Sequence, residues 1–143
     1  MSPDPLNVTK SDSRELLEGQ TLSASLSVRD IHASLAWYQD VLGFAVDRRF
    51  ERDGTLRAVS LRAGTVRILI GQDDGSKGAN RVKGEGFSLQ ITTAQNIDEI
   101  AARIKGHGVT LDSEPADVWG ARVFRLRDPD GFKLTISSQR WSD

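Results

Sequence analysis

The side chains best equipped for chemistry in this chain are few. It carries two histidines, His32 and His107, and no cysteine. No disulfide, thiolate nucleophile or sulfur-bound zinc can therefore form, and any metal would need histidine and carboxylate ligands. His32 lies beside Asp30 at what reads as a first helical turn, and His107 sits between Gly106 and Gly108 at a helix exit. Both places suit solvated or helix-end interactions rather than ligation. The carboxylates Asp73-Asp74 fall in a polar loop and Asp128/Asp130 in a turn, where Asp side chains bond nearby backbone. A serine without a neighbouring His or Lys base is not an activated nucleophile. Hydrogen bonding and stacking remain. Ser23, Ser25, Ser88, Gln90 and Thr135 are neutral hydrogen-bonding candidates for a small-molecule pocket. In Trp119-Gly120-Ala121-Arg122, Trp119 offers a flat apolar surface and Arg122 a partner for carboxylate or phosphate. The plain alternatives are a wet groove for the neutral groups, a hydrophobic plug for Trp119 and a surface ion pair for Arg122.

These residues must be positioned by strands and helices. Over Thr21 to Val28, Leu22, Ala24, Leu26 and Val28 alternate with Ser23, Ser25 and Ser27, the period of a half-buried strand. Asp30 then caps a helix with Ile31, Leu35, Tyr38 and Leu42 on one face, ended by Gly43. Trp37-Tyr38 on this helix reads as core packing. Three strands follow, around Phe44 to Phe50, Leu56 to Leu61 and Val66 to Ile70, with turns at Asp53-Gly54 and Ala63-Gly64. A polar, Gly-rich connector from Gly71 to Gly86 reads as a mobile linker able to act as a lid. The order then repeats: a strand at Phe87 to Thr92, a helix at Ile97 to Lys105, a strand near Val109 to Ser113, and two strands flanking Asp128-Pro129-Asp130-Gly131. Gly43 and Gly108 stand about 65 residues apart and Gly64 and Gly131 about 67, so the chain reads as a duplicated βαβββ unit. The expected fold class is α+β, with modules over about 21–71 and 86–140 packed together and a concave mixed-sheet surface as the binding face. Residues 1–20 read as a flexible leader with a turn of helix at Arg14 to Glu18, and 21–143 as one domain.

Composition narrows the function classes. A net charge of -1 with interspersed signs leaves no basic stripe for nucleic acid and no polybasic patch for anionic lipid. The N-terminus lacks the basic start and apolar stretch of a secretory signal, and no run reaches membrane-span length. A soluble, cytoplasmic protein is the expectation.

The stretches VRDIHASLAWYQDVLGF (Val28 to Phe44) and RDPDGFKLTI, at this separation, resemble the vicinal oxygen chelate superfamily, and most of all its metal-free bleomycin-resistance-like branch. The superfamily also holds glyoxalase I, methylmalonyl-CoA epimerase, extradiol dioxygenases and fosfomycin-inactivating transferases. The resemblance covers nearly all of Leu22 to Ser138 and implies paired βαβββ modules forming a cup-shaped sheet, commonly completed by dimerisation. It also implies that the WGAR segment enters the seventh strand at the mouth of the groove. Metal-dependent relatives place a His or Glu on the first and last strand of each module. Here those positions fall on Ser23, on or beside Ile68, on Gly86 or Phe87, and on Thr135. None is a usual ligand, so no metal and no cofactor is expected.

Three functions remain. The first is a metal-free, homodimeric protein that binds a small organic ligand, with sequestration of an antibiotic or toxic metabolite as its role. The second is a metal-dependent lyase, isomerase or dioxygenase that recruits Glu51, Glu85 or His107. The third is a protein-interaction module with a vestigial cup.

Overall fold

The computed structural model describes residues 16–78 and 80–139. Most of the expected leader, including Arg14 of its helical turn, lies outside the described residues, as do residues 140–143 of the expected domain. The elements are β1 (Ala24–Val28), α1 (Ile31–Asp40), β2 (Ala45–Arg52), β3 (Thr55–Ala63), β4 (Val66–Gln72), β5 (Ser88–Thr92), α2 (Ile97–Gly106), β6 (Ser113–Val118), β7 (Ala121–Arg127) and β8 (Lys133–Ser137). Two βαβββ modules thus occur in tandem, as the α+β reading expects. Each module builds its own four-stranded mixed sheet, ordered β1-β4-β3-β2 and β5-β8-β7-β6. β1 runs parallel to β4 and β5 parallel to β8, while the remaining pairs are antiparallel.

Local chemistry sets the helix ends. Asp30 Oδ1 accepts the backbone N–H groups of His32 and Ala33 at 3.1 and 3.2 Å, satisfying donors that the first turn leaves free. Asn96 does the same for Glu99 at 3.0 Å. In α2 the acids Asp98 and Glu99 open the helix and Arg103 and Lys105 close it, matching the helix dipole. Gly43, at φ +77°, lets the chain leave α1 and turn into β2.

Strand alternation then sorts the side chains. Leu26, Val28, Val59, Leu61, Ile68 and Ile70 pack with α1, and Phe124, Leu126, Leu134 and Ile136 pack with α2. Trp37, Leu42, Leu89 and Ile91 pack against both clusters, so the two cores join on the helix side of the sheets.

The strand expected at Val109 to Ser113 is displaced. Leu111 is buried in the second core, but the sixth strand runs over Ser113–Val118. Its composition hid it, because Glu114-Pro115 reads as loop. β6 is an edge strand with an irregular register between Ser113 and Ala116, a place where a proline without an N–H is tolerated. The first strand is also shorter than read, beginning at Ala24 rather than Thr21.

The turn Asp128-Pro129-Asp130-Gly131 does more than reverse the chain. Asp128 Oδ1 accepts the N–H groups of Asp130 and Phe132, both at 2.9 Å. Its other oxygen accepts the Tyr38 hydroxyl from α1 at 2.8 Å. Asp130 Oδ1 accepts the Arg29 N–H at 2.8 Å, and its Oδ2 accepts the Ser34 hydroxyl at 3.3 Å. Tyr38, Ser34, Asp128 and Asp130 are all buried. Burial pushes the Asp128 carboxyl above its ordinary pKa, against the hydrogen bonds that lower it. Burial, then the charge of Asp128, raises the Tyr38 phenol, so it remains a donor.

The connector differs from a mobile linker. The buried Lys83 donates to Ser27 O at 2.7 Å and pairs with Asp73, which also pairs with Arg81 at 3.1 Å. Arg29 Nη2 donates to Arg81 O at 2.8 Å. Gly84, at φ +70°, passes so near Phe132 that a Cβ would stand 2.6 Å from its ring. The connector is therefore a strap held by charge and packing, and its polar composition disguised this.

Replacing Tyr38 by Phe leaves Asp128 Oδ2 without its phenolic donor and is expected to lower unfolding free energy by about 1–3 kcal/mol in urea titrations. The hydrogen bond from Lys83, with help from the Gly75 N–H and Arg81, holds the Asp73 carboxyl well below the usual carboxylate range. Its contribution is then present above the unfolded-state pKa and lost as pH falls toward the folded one. Asp73→Asn should therefore destabilise the protein at neutral pH, and its gap from the parent protein should close below about pH 4 in thermal melts across pH.

Candidate functional site

With one face of each sheet packed on a helix, the other face is the candidate surface. The pairing registers define its rungs. In the first module Ser25, Leu69, Ser60 and Arg48 stand in line, followed by Ser27, Gly71, Ala58 and Phe50. In the second, Gln90, Thr135, Arg125 and Ser113 form one rung, flanked by Ser88, Lys133 and Arg127 on one side and Thr92, Ser137, Val123 and Ala116 on the other. Ser88 Oγ and Thr135 Oγ1 lie 3.3 Å apart and share a hydrogen bond.

A groove of about 710 Å³ opens on the first module, lined by Leu22, Ser23, Phe50, Ser60, Arg67 and Leu69 among others. Phe50 is exposed and supplies apolar surface, while Ser23 and Ser60 supply hydrogen-bonding groups. Arg67 is held by Asp47 at 2.8 Å. Another cleft, of about 500 Å³, runs between the modules past Phe44, Thr65, Ile91 and Arg103, away from the polar rungs.

The expected site residues divide into three groups. Ser88, Gln90 and Thr135 come together on the open face of the second sheet. Ser25 lies on the open face of the first sheet, and Ser23, just before β1, lines its groove. Trp119 occupies the β6–β7 turn with φ +45° and is half exposed. Arg122 goes elsewhere. It lies on the helix side of β7, where its Nε and Nη2 bind the carboxylate of Asp98 in α2 at 3.1 and 2.9 Å, and its Nη1 reaches Asp117 at 3.4 Å. Its guanidinium is thus engaged by an ion pair of the kind named as the plain alternative.

The cations on the open face of that strand are Arg125 and Arg127, whose parity the sequence already carried. The signal was present in ARVFRLR: with Phe124 and Leu126 buried under α2, Val123, Arg125 and Arg127 must face away.

The metal positions implied by the resemblance can be tested against these placements. Ile68 is buried in the first core, with Leu69 as its open-face neighbour. Gly86 and Phe87 precede β5, leaving Ser88 and Gln90 on its open face. Thr135 shares its hydroxyl with Ser88. Ser, Leu, Gln and Thr side chains do not supply the His and carboxylate field that a divalent metal needs, so the donor set does not fit. Glu51, Glu85 and His107 lie on β2, on the connector and at the end of α2, and among the described residues no three His, Cys, Asp or Glu converge as ligands.

Residues 20–136 match the family model described as Glyoxalase/Bleomycin resistance protein/Dioxygenase superfamily. No curated protein matches the chain. Among solved structures, a superfamily member from Sphaerobacter thermophilus is 24% identical with a TM-score of 0.70, over 87% of this chain and 100% of that one. TnmS3, an antibiotic binding protein from a Streptomyces species, is 15% identical with a TM-score of 0.68, over 87% and 98%. TioX from a Micromonospora species is 20% identical with a TM-score of 0.67, over 87% and 99%.

Protein loaded with Zn, Ni, Mn or Fe and then dialysed should retain far less than one metal per chain by plasma mass spectrometry. Stoichiometric retention would show that ligands converge in a way this donor set does not allow.

Proposed function

The chain belongs to the glyoxalase/bleomycin resistance protein/dioxygenase superfamily, and on that footing we propose that it binds a small organic molecule on its open sheet faces, without metal or cofactor. The observation that carries this reading is the chemistry of those faces: a groove of about 710 Å³ with an exposed aromatic ring, bordered by neutral hydrogen-bond formers where a metal enzyme would need ligands. Such a surface holds a ligand by shape, stacking and a few hydrogen bonds, and it provides no activated nucleophile. Sequestration of an antibiotic or toxic metabolite in the cytoplasm is the role that suits it. The fold likeness to TnmS3, which is described as an antibiotic binding protein, lends support.

The protein works as a homodimer in this reading. The groove of about 710 Å³ opens on one sheet of a single chain, and a pocket that buries most of a ligand needs a second wall. Ser23, Ser25, Ser88, Gln90, Thr135 and Trp119 are the proposed contact residues, and Arg122 contributes through its tie to α2 rather than by touching the ligand.

A thermal-shift screen of planar organic compounds, including aromatic antibiotics, should find ligands that raise the melting temperature, since binding to the native state alone stabilises it by mass action. Leu69→Trp, which fills the groove, should abolish that rise for ligands seated there while leaving the unliganded melt nearly unchanged. Failure of every compound in a chemically broad library would remove the binding reading and favour a protein-interaction module. Sedimentation equilibrium should give twice the chain mass.

A further inference from the structure

The chain as a whole is almost neutral, with 19 basic and 20 acidic residues, yet the open sheet faces carry cations that lack acidic partners. On the second sheet the open rungs carry Lys133, Arg127 and Arg125 and no acidic residue. The acids of β6 point to the helix side, where Glu114 pairs with Lys105 and Asp117 with Arg122. Arg127 has one carboxylate, that of the half-exposed Asp112 at 2.9 Å. Arg125 and Lys133 are exposed and, among the described residues, have no ion pair or side-chain hydrogen bond. On the first sheet Arg48 and Arg62 are exposed on the open side without a carboxylate partner among the described residues, while Arg67 pairs with Asp47.

Resting on the small-molecule reading above, we infer that the ligand is an organic anion whose carboxylate or phosphonate is gripped by Arg125. The geometry carries this. A guanidinium presents paired N–H donors that match a planar anionic group, and Arg125 stands in register with the hydroxyl of Thr135 and the amide of Gln90. Lys133 and Arg127 add a positive field beyond the anionic end, which attracts acids and rejects ammonium compounds.

Three naphthalene probes matched in shape test this: 2-naphthoate, 2-naphthamide and 2-naphthylmethylammonium, titrated calorimetrically into the full chain. The acid should bind most tightly and weaken as salt is raised. Arg125→Gln should cost about tenfold or more in affinity for the acid, with Arg125→Lys between, since lysine keeps the charge and loses the fork. Arg49→Gln, on the opposite face of the first sheet, serves as the folded control and should bind as the parent protein does. Amide or ammonium binding equal to that of the acid, or acid binding unchanged in Arg125→Gln, overturns the anion proposal and leaves the small-molecule reading standing. Binding of the acid matched by sulfated polysaccharide, lost together in Arg125→Gln, overturns it in favour of a general polyanion surface. If neither the three probes nor the broad compound library binds, both readings fall.

Discussion

The buried contact between α1 and the turn from Asp128 to Gly131 is the constraint on which the two-module arrangement depends. Tyr38, Ser34 and the backbone of Arg29 come from the first module, while both aspartates come from the second. Four buried polar groups must all find partners here, because an orphaned one costs about 1–3 kcal/mol. They do so in only one relative placement of the modules. Apolar packing through Trp37, Leu42, Leu89 and Ile91 supplies area but tolerates sliding, whereas a buried hydroxyl facing a carboxylate does not. The contact therefore fixes how the two open faces are held relative to each other, and through that the site.

The legible part of this molecule was its periodicity. Alternation in β1, the Asp30 cap and the Gly43 exit placed the first module, and the turn at Asp128 placed β7 and β8. What failed did so for physical reasons. An edge strand that contains Pro115 has no alternation to read, so β6 was sought too early. Asp128 and Asp130 were recognisable as turn residues, but a partner about ninety residues away leaves no trace in local pattern. The site was half legible: Ser88, Gln90 and Thr135 assembled on one face because strand parity dictates it, while Arg122 has the wrong parity and went to α2. The same parity rule, applied to Phe124 and Leu126, points to Arg125.

Charge on the sheets shows why bulk composition says little about a site. Near-neutral overall balance excludes an extended basic surface for nucleic acid, but it places no limit on a face a few side chains wide. Strand parity assigns Arg125 and Arg127 to one side and Glu114 and Asp117 to the other, where Glu114 pairs with Lys105 and Asp117 shares Arg122 with Asp98. Both acids of β6 thus have a cationic partner, while Arg125 has no acidic one among the described residues.

The strap over β1 has a bearing on association as well as on folding. Successive carbonyls of a strand point to opposite sides. Val28 O meets the Asp73 N–H next to β4 at 2.8 Å, so Ser27 O points to the unpaired margin of the sheet, and there Lys83 takes it. At the far end of the other sheet, β6 presents Pro115 and an interrupted register to any newcomer. Two of the four margins are thereby spoiled as templates for an incoming strand, a common guard against runaway polymerisation. Copies of this protein that meet at these two margins find no ready ladder to extend, which leaves β2 and β5 as the edges where backbone could pair with backbone.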